Sequence, residues 1–266
     1  MGNQVIESMH VSGDGRWLLY DSNLRGNADI YRVPIDGGEP EQLTSSPADE
    51  FAGDLSPDGR AVAYHSWRSG TRDIEVKPLD GGPIEYVTAT PAQESYPRWR
   101  PDGGAILFYD QRVPYTLRLT RRLGPGAWSA PVFMASPGMN GTWSPDGSWV
   151  AYVGASSDAA PGPVMVVAAH GGAPRQLFAP SPTAPPALEV KWDPDGETIY
   201  YKAHDTVGRA SFWSVGSRGG TPRLLVRFPD RSRQSHRKDF ATDGGRLFFA
   251  REDRQSDVFV VELLPR

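Results

Sequence analysis

One position recurs in six places along the chain, always four residues before the Asp of an Asp-Gly pair. It holds charged or polar residues: His10, Asp54, Arg98, Thr142, Lys191 and Asp239. The residue that follows is apolar each time, and neighbouring side chains of a strand point to opposite faces. The alternation therefore predicts six short strands that direct the polar side chains into one ring, while the apolar residues, among them Trp99, Trp143 and Trp192, pack between sheets.

The predicted ring could bind a divalent cation. His10, Asp54 and Asp239 come from repeats that would be consecutive around the ring, and two carboxylates beside an imidazole suit a cation such as calcium. Asn140 and Glu189, each six residues before the Asp of its Asp-Gly pair, would add two oxygen ligands. In a hydrolase such an ion would activate a water molecule as the nucleophile. These five residues are the predicted metal ligands.

The same ring permits other interpretations. A carboxylate that orients His10 would make its imidazole a general base, so His10, Asp54 and Asp239 are also the candidate catalytic residues. Arg98 and Lys191 could instead bind an anionic ligand. Alternatively, Asp54 pairs with Arg98 and Asp239 with Lys191, and the ring holds only mutually neutralised charges around water.

Five further residues are predicted at one end of the ring. Glu50, Glu94 and His236 stand at the start of first strands, His65 ends a second strand, and Trp67 follows it in a loop. In an antiparallel pair these strand ends share one edge, opposite the Asp-Gly turns. The sequence therefore predicts a ligand-binding face at the end of the channel away from those turns.

The elements that position these residues are internal repeats. The six Asp-Gly aspartates are spaced 44, 44, 44, 49 and 48 residues apart, at Asp14, Asp58, Asp102, Asp146, Asp195 and Asp243. Four of them follow a proline, and a Pro-Asp-Gly stretch is a turn in which proline presets φ and glycine takes a positive φ. A β-rich apolar run follows each turn, and further strands and Gly-Gly hairpins complete most repeats.

Four short strands in a unit of about 44 residues are typical of a propeller blade. We therefore predict an all-β chain with one domain over 1–266, folded as a six-bladed β-propeller of four-stranded antiparallel blades. The predicted blades are 7–51, 52–95, 96–136, 137–183, 184–230 and 231–266, with an N-terminal strand at 3–6. The last repeat stops after its third strand, so either the N-terminal strand pairs with it and closes the ring, or the chain is one part of a longer array of repeats.

Composition excludes several classes of function. The 266 residues include no cysteine, so disulfides and cysteine-ligated metals are excluded. A formal charge of −4 argues against nucleic acid as a partner, because phosphate neutralisation requires clustered positive charge. The sequence contains no run of 18 apolar residues, so it predicts no membrane-spanning helix. The first seven residues have neither a basic nor an apolar signal region, which predicts a cytoplasmic location for the chain as it stands.

The segment 56–66, followed by an Arg-Ser-Gly-Thr-Arg-Asp-Ile stretch at 68–74 and Asp-Gly-Gly at 80–82, resembles the repeat of TolB-like six-bladed propellers. The resemblance extends over nearly the whole chain and is weakest in the third and sixth repeats. It implies the propeller fold and binding of protein partners, and a periplasmic location if the chain is a fragment of an envelope protein. TolB itself carries a further N-terminal α/β domain, to which the resemblance does not extend. Six-bladed propellers of other families are calcium-dependent lactonases and phosphotriesterases.

Two functions follow as expectations. The first is a monomeric, non-catalytic TolB-like propeller, either by itself or as part of a larger sensor or envelope protein, that binds a protein, a peptide or a small ligand at the channel mouth. The ligand-binding residues would then be Arg98, Lys191, Glu50, Glu94, His65, His236 and Trp67. The alternative is a metal-dependent hydrolase of the lactonase or phosphotriesterase kind, with the ion in the central channel.

Overall fold

The Asp-Gly pairs form tight turns between the first and second strands of each blade. In the second blade, the Ser56 hydroxyl donates to the Asp58 carboxylate at 2.6 Å and accepts from the Ala61 amide at 2.9 Å. Gly59 has a φ of +71°, a left-handed conformation that glycine adopts without a steric penalty. The turn thus ends one strand and starts the next, as the sequence predicts.

The computed structural model describes residues 5–155, 160–205, 209–228, 239–253 and 255–263. The first blade has β1 (Met9–Val11), β2 (Trp17–Ser22), β3 (Asp29–Pro34) and β4 (Glu41–Gln42), and the second has β5 (Glu50–Leu55), β6 (Ala61–Ser66), β7 (Asp73–Pro78) and β8 (Glu85–Tyr86). The third has β9 (Glu94–Trp99), β10 (Ala105–Asp110), β11 (Thr116–Gly124), β12 (Ala127–Trp128) and β13 (Val132–Ala135). The fourth has β14 (Met139–Trp143), β15 (Trp149–Val153), β16 (Val164–Ala168) and β17 (Arg175–Gln176). The fifth has β18 (Glu189–Trp192), β19 (Thr198–His204), β20 (Ala210–Gly216) and β21 (Arg223–Arg227), and the sixth has β22 (Phe240–Thr242), β23 (Arg246–Asp253) and β24 (Gln255–Glu262).

Successive strands of a blade pair antiparallel in chain order, which confirms the predicted six-bladed, all-β propeller. In the third blade, β12 and β13 both pair with the long β11 and together take the place of a fourth strand. Within the described residues the sixth blade has three strands. Among all the residues that the structure describes, no helix is long and apolar enough to cross a membrane.

The ring closes at the contact between the first and sixth blades. The Met9 amide donates to the Asp239 carboxylate at 3.1 Å, and Ile6 is buried in the same cluster as Phe248. The amide of Val5 donates to the Asn23 side chain of the first blade, and neither Val5 nor Ile6 pairs with β24. These two residues therefore do not form the predicted closing strand, and its other residues, 3 and 4, lie outside the described chain.

Apolar side chains fill the space between neighbouring blades. Between the first and second blades the buried cluster consists of Leu19, Ile30, Leu43, Leu55, Val62 and Tyr64. Tryptophans fix the spacing elsewhere, since the Trp143 indole donates to the Arg98 carbonyl and the Trp192 indole to the Thr142 carbonyl, both at 3.1 Å. Each indole thus joins its blade to the preceding one.

Gly53 lies in close contact with a side chain of the neighbouring blade, and Gly53→Ala should lower the free energy of unfolding by about 1–3 kcal/mol. A Cβ at this position would stand 2.4 Å from Ile30 Cγ2, and Ile30 is fully buried in β3. Gly13→Ala is the control, because a Cβ there meets nothing within 4 Å. Urea denaturation of the two variants checks the prediction, which is wrong if both unfold at the same midpoint.

Candidate functional site

Bulges in the first strands set the direction of the channel side chains. Ala52, Tyr96 and Asn140 occupy equivalent positions in the second, third and fourth blades and have φ values of +57°, +56° and +52°. Left-handed backbone is uncommon for residues other than glycine and marks a bulge in which one strand carries an extra residue. The register shows the extra residue. Phe51 lies opposite His65 and Asp54 lies opposite Ala63, so two residues of β5 stand between these pairs where β6 has one. Asp54 and its equivalents follow the bulge.

Five of the six residues that stand four positions before the Asp-Gly aspartates line one central cavity of about 680 Å³, called here the channel cavity. Its polar lining includes His10, Asp54, Arg98, Thr142 and Lys191, and its apolar wall includes Val11, Leu55, Trp99, Trp143 and Trp192. The sixth predicted residue, Asp239, contacts Lys191 at 2.8 Å. The structure therefore brings the six predicted ring residues together.

Asp54 and His10 form a hydrogen-bonded pair in the cavity, with 3.1 Å between Asp54 Oδ1 and His10 Nε2. Asp54 Oδ2 also accepts from the Trp99 amide at 2.7 Å. Burial would raise the pKa of Asp54, but His10, Arg98 and the Trp99 amide outweigh it and the pKa is lowered. Burial lowers the pKa of His10 despite the neighbouring carboxylate, so the neutral imidazole is favoured.

Lys191 lies between two buried carboxylates. Its ammonium is 3.0 Å from Glu189 and 2.8 Å from Asp239, and Arg98 is 3.9 Å from Asp239. Burial raises the pKa of Glu189 to about 7, with Asp239 adding to the rise and Lys191 opposing it. Of the two ion pairs that the sequence offered as an alternative, the Asp239 pair with Lys191 is present, whereas Asp54 contacts His10.

The predicted metal ligands are engaged with protein partners. Asp54 is hydrogen-bonded to His10. The Lys191 ammonium pairs with both Glu189 and Asp239, and the side-chain amide of Asn140 donates to the Leu188 carbonyl at 3.2 Å. Across the residues that the structure describes, no three His, Asp or Glu side chains are arranged to hold a metal ion. A divalent cation in the channel stays a prediction from sequence.

The residues predicted at the far end of the channel lie in the walls between blades. Glu50, Glu94 and His65 are buried, each at most 4% exposed. Glu50 bonds to Arg68, Glu94 to the Thr88 and Thr90 hydroxyls, and His65 stacks between Phe51 and Tyr96. Trp67 is 39% exposed beneath the Arg72 guanidinium. His236 lies outside the described residues, so this end stays a prediction as a binding face.

The channel cavity is at the opposite end, among the Asp-Gly turns. Residues of the turns form its rim: Asp14, Gly15, Pro57, Pro101, Pro145, Pro194 and Asp243. Sequence reasoning assigned these residues only a turn role and placed the tryptophans only between blades. The signal was present in the repeat itself, because six turns at the same end of six blades must surround the channel axis. Their prolines then become part of the wall.

Comparison with known proteins supports the fold. No family model and no curated protein matches the chain. A TolB-like protein from Agrobacterium tumefaciens is 18% identical, with a TM-score of 0.71 over 99% of this chain and 91% of that one. TolB from Acinetobacter baumannii is 20% identical, with a TM-score of 0.68 over 85% of this chain. The match spans 55% of the length of that TolB.

Enzymes share the same architecture. An oligogalacturonate lyase in complex with manganese is 18% identical, with a TM-score of 0.60 over 96% of this chain and 73% of that chain. The chain therefore has the TolB-like propeller fold, which occurs in proteins with different activities. Function depends on the side chains of the site rather than on the fold.

Proposed function

We propose that this protein is a non-catalytic, TolB-like propeller that binds an extended segment of a protein or peptide in the channel cavity. The observation that supports it is the cavity itself, whose volume of about 680 Å³ suits a short segment. Its wall includes the indoles of three tryptophans, and the polar groups of His10, Asp54, Arg98, Thr142 and Lys191 come from five blades and converge on the channel. An apolar side chain would pack against Trp99, Trp143 and Trp192 while the backbone bonds to the polar groups.

The charges around the cavity favour such a ligand over a highly charged one. The carboxylates of Asp54 and Asp239 are balanced by the cations of Arg98 and Lys191, two against two, with contacts as short as 2.8 Å. Glu189 adds a carboxyl group that is partly protonated near neutral pH, because its pKa is about 7. A nearly neutral set of donors and acceptors matches peptide groups better than it matches a polyanion.

Binding can be tested by selecting peptides from a displayed library against the whole protein and measuring their dissociation constants by fluorescence anisotropy. Gly13→Trp should weaken the selected peptides at least tenfold, because Gly13 lines the cavity and a Cβ there meets nothing within 4 Å. Trp67→Ala, at the other end of the channel, is the matched control and should bind as wild type. The opposite pattern, or equal binding by all three proteins, would overturn the proposal.

The His10–Asp54 pair favours one other function, which is hydrolysis by general-base catalysis. A neutral imidazole that a buried carboxylate orients can accept a proton from water and so activate it. The His10 side chain remains 21% exposed, so water can reach it. Mass spectrometry of the selected peptides after incubation separates the two functions. Intact peptides support binding alone, whereas cleavage that disappears in His10→Gln would indicate a hydrolase.

A further inference from the structure

Within the described residues, β23 is the one strand that pairs with the outer strand of the sixth blade, β24. Four other blades end in a fourth strand, formed by β4, β8, β17 and β21, whereas the sixth sheet has the order β22-β23-β24. An open edge presents a row of backbone donors and acceptors that another strand can pair with. The blades of this chain that have a fourth strand show which sequence such a strand needs.

In the first blade, the residue after the fourth strand inserts between blades. Leu43 is 5% exposed and its amide donates to the Ile30 carbonyl at 2.8 Å. The hydroxyl of the next residue, Thr44, accepts from the Ile30 amide at 2.8 Å. The second blade repeats these contacts with Val87, Thr88 and Ile74 at 2.9 and 2.8 Å. In both blades, therefore, the fourth strand is followed by an aliphatic residue that inserts between blades and then by a threonine.

The equivalent place in the sixth blade is a cavity. Val258 follows Asp257 as Ile30 follows Asp29, and it is the counterpart of Ile30 in the third strand. Beside it lies a cavity of about 470 Å³, called here the edge groove. Its apolar lining comes from both blades and comprises Leu18, Val33, Ile35, Phe248, Val258 and Val260. The groove therefore lies where an aliphatic side chain of a fourth strand would insert.

A second position of the groove further defines its occupant. In the first blade Arg32 lies opposite Glu41 and pairs with it at 2.7 Å. The counterpart of Arg32 in the sixth blade is Val260, which is 50% exposed and lines the groove. A strand that pairs with β24 therefore needs an apolar residue where Glu41 stands. The required pattern is apolar, any residue, aliphatic, then threonine or serine.

The described N-terminal residues do not supply this strand. The Val5 amide is bonded to Asn23 and the Glu7 amide to Asp21, both in the first blade. Ile6 forms part of the groove wall. We propose that the edge groove is a second binding site, in which an extended segment of a partner protein with this pattern pairs with β24 as the fourth strand of the sixth blade. Recognition by strand addition takes affinity from backbone bonds and specificity from alternate side chains.

The test uses two labelled twelve-residue peptides that are identical except for their central Val-Gln-Leu-Thr or Glu-Gln-Leu-Thr, with dissociation constants measured by fluorescence anisotropy. Wild type should bind the Val peptide about tenfold more tightly. Val260→Arg recreates the Arg32–Glu41 pair and should reverse the preference. Replacing the peptide leucine with proline removes the paired amide and should abolish binding.

Gly13→Trp should bind the Val peptide as tightly as wild type does, which separates the edge groove from the channel cavity. Absence of binding to wild type at millimolar peptide would overturn the proposal. So would an unchanged preference in a Val260→Arg variant that melts at the wild-type temperature. Failure of the channel cavity to bind peptides leaves these results unaffected, because the two sites are tested with different variants.

Discussion

Lys191→Met should lower the free energy of unfolding by about 3–5 kcal/mol at neutral pH, because it removes one partner of a buried ion pair network. The Lys191 ammonium is 2.8 Å from Asp239 and 3.0 Å from Glu189, and all three residues are at most 4% exposed. Methionine keeps most of the side-chain volume but leaves Glu189 without its cation and Asp239 with only the more distant Arg98, at 3.9 Å. Urea denaturation of the whole chain measures the loss.

Lys77→Met is the matched control for this prediction. The Lys77 ammonium donates to the Leu43 carbonyl at 2.7 Å and has no carboxylate partner among the contacts of the described residues. Its loss should cost about 1 kcal/mol, the net value of one hydrogen bond. Acidification should restore part of the stability of Lys191→Met, since protonated carboxyl groups need no counter-charge. Equal destabilisation of the two variants would show that the channel charges do not depend on Lys191.

Glu189→Gln should change how stability depends on pH. Burial raises the pKa of Glu189 from 4.5 to about 7. Between these values the unfolded carboxyl group is ionised while the folded one keeps its proton, so the wild-type protein loses stability as pH rises. The variant lacks this loss. At about 1.4 kcal/mol per pH unit, its stability relative to wild type should rise by about 3 kcal/mol between pH 4.5 and 7.

Urea denaturation at half-unit pH steps gives this difference directly. Glutamine retains an oxygen that can accept from Lys191, so the comparison isolates the ionisation of Glu189. Glu197→Gln, on the exposed turn of the same blade, controls for removal of a carboxylate. A constant difference between Glu189→Gln and wild type across this range would contradict the raised pKa.

The sequence was sufficient to predict the blades because their determinants are local. The turn around Asp58 is specified by Ser56, Pro57 and Gly59, and the bonds that the structure shows lie within residues 56–61. Alternation along a strand was likewise sufficient to place His10 and Asp54 on the channel side. Both arguments concern residues that are neighbours in the chain.

Contacts between blades could not be predicted in the same way. The partner of Asp54 depends on how far the side chains of His10 and Arg98 reach across the ring, which spacing does not reveal. The bulge at Ala52 gives a non-glycine residue a φ of +57°, which its residue type does not indicate, although Gly53 follows it. Which end of the channel forms a cavity also could not be predicted, because the burial of Glu50 and His65 at the other end depends on how the blades pack.

The hydrogen bond from Met9 to Asp239 joins residues that are 230 positions apart in the chain. In an unfolded chain, closing a loop of that length costs on the order of 5 kcal/mol of entropy. Within the described residues, no strand pairing across the first and sixth blades offsets this cost. Once the other five interfaces have formed, they hold the two ends near each other and reduce this cost. The last contact of the ring thus depends on every blade, so loosening any one interface lowers the effective concentration of Met9 at Asp239.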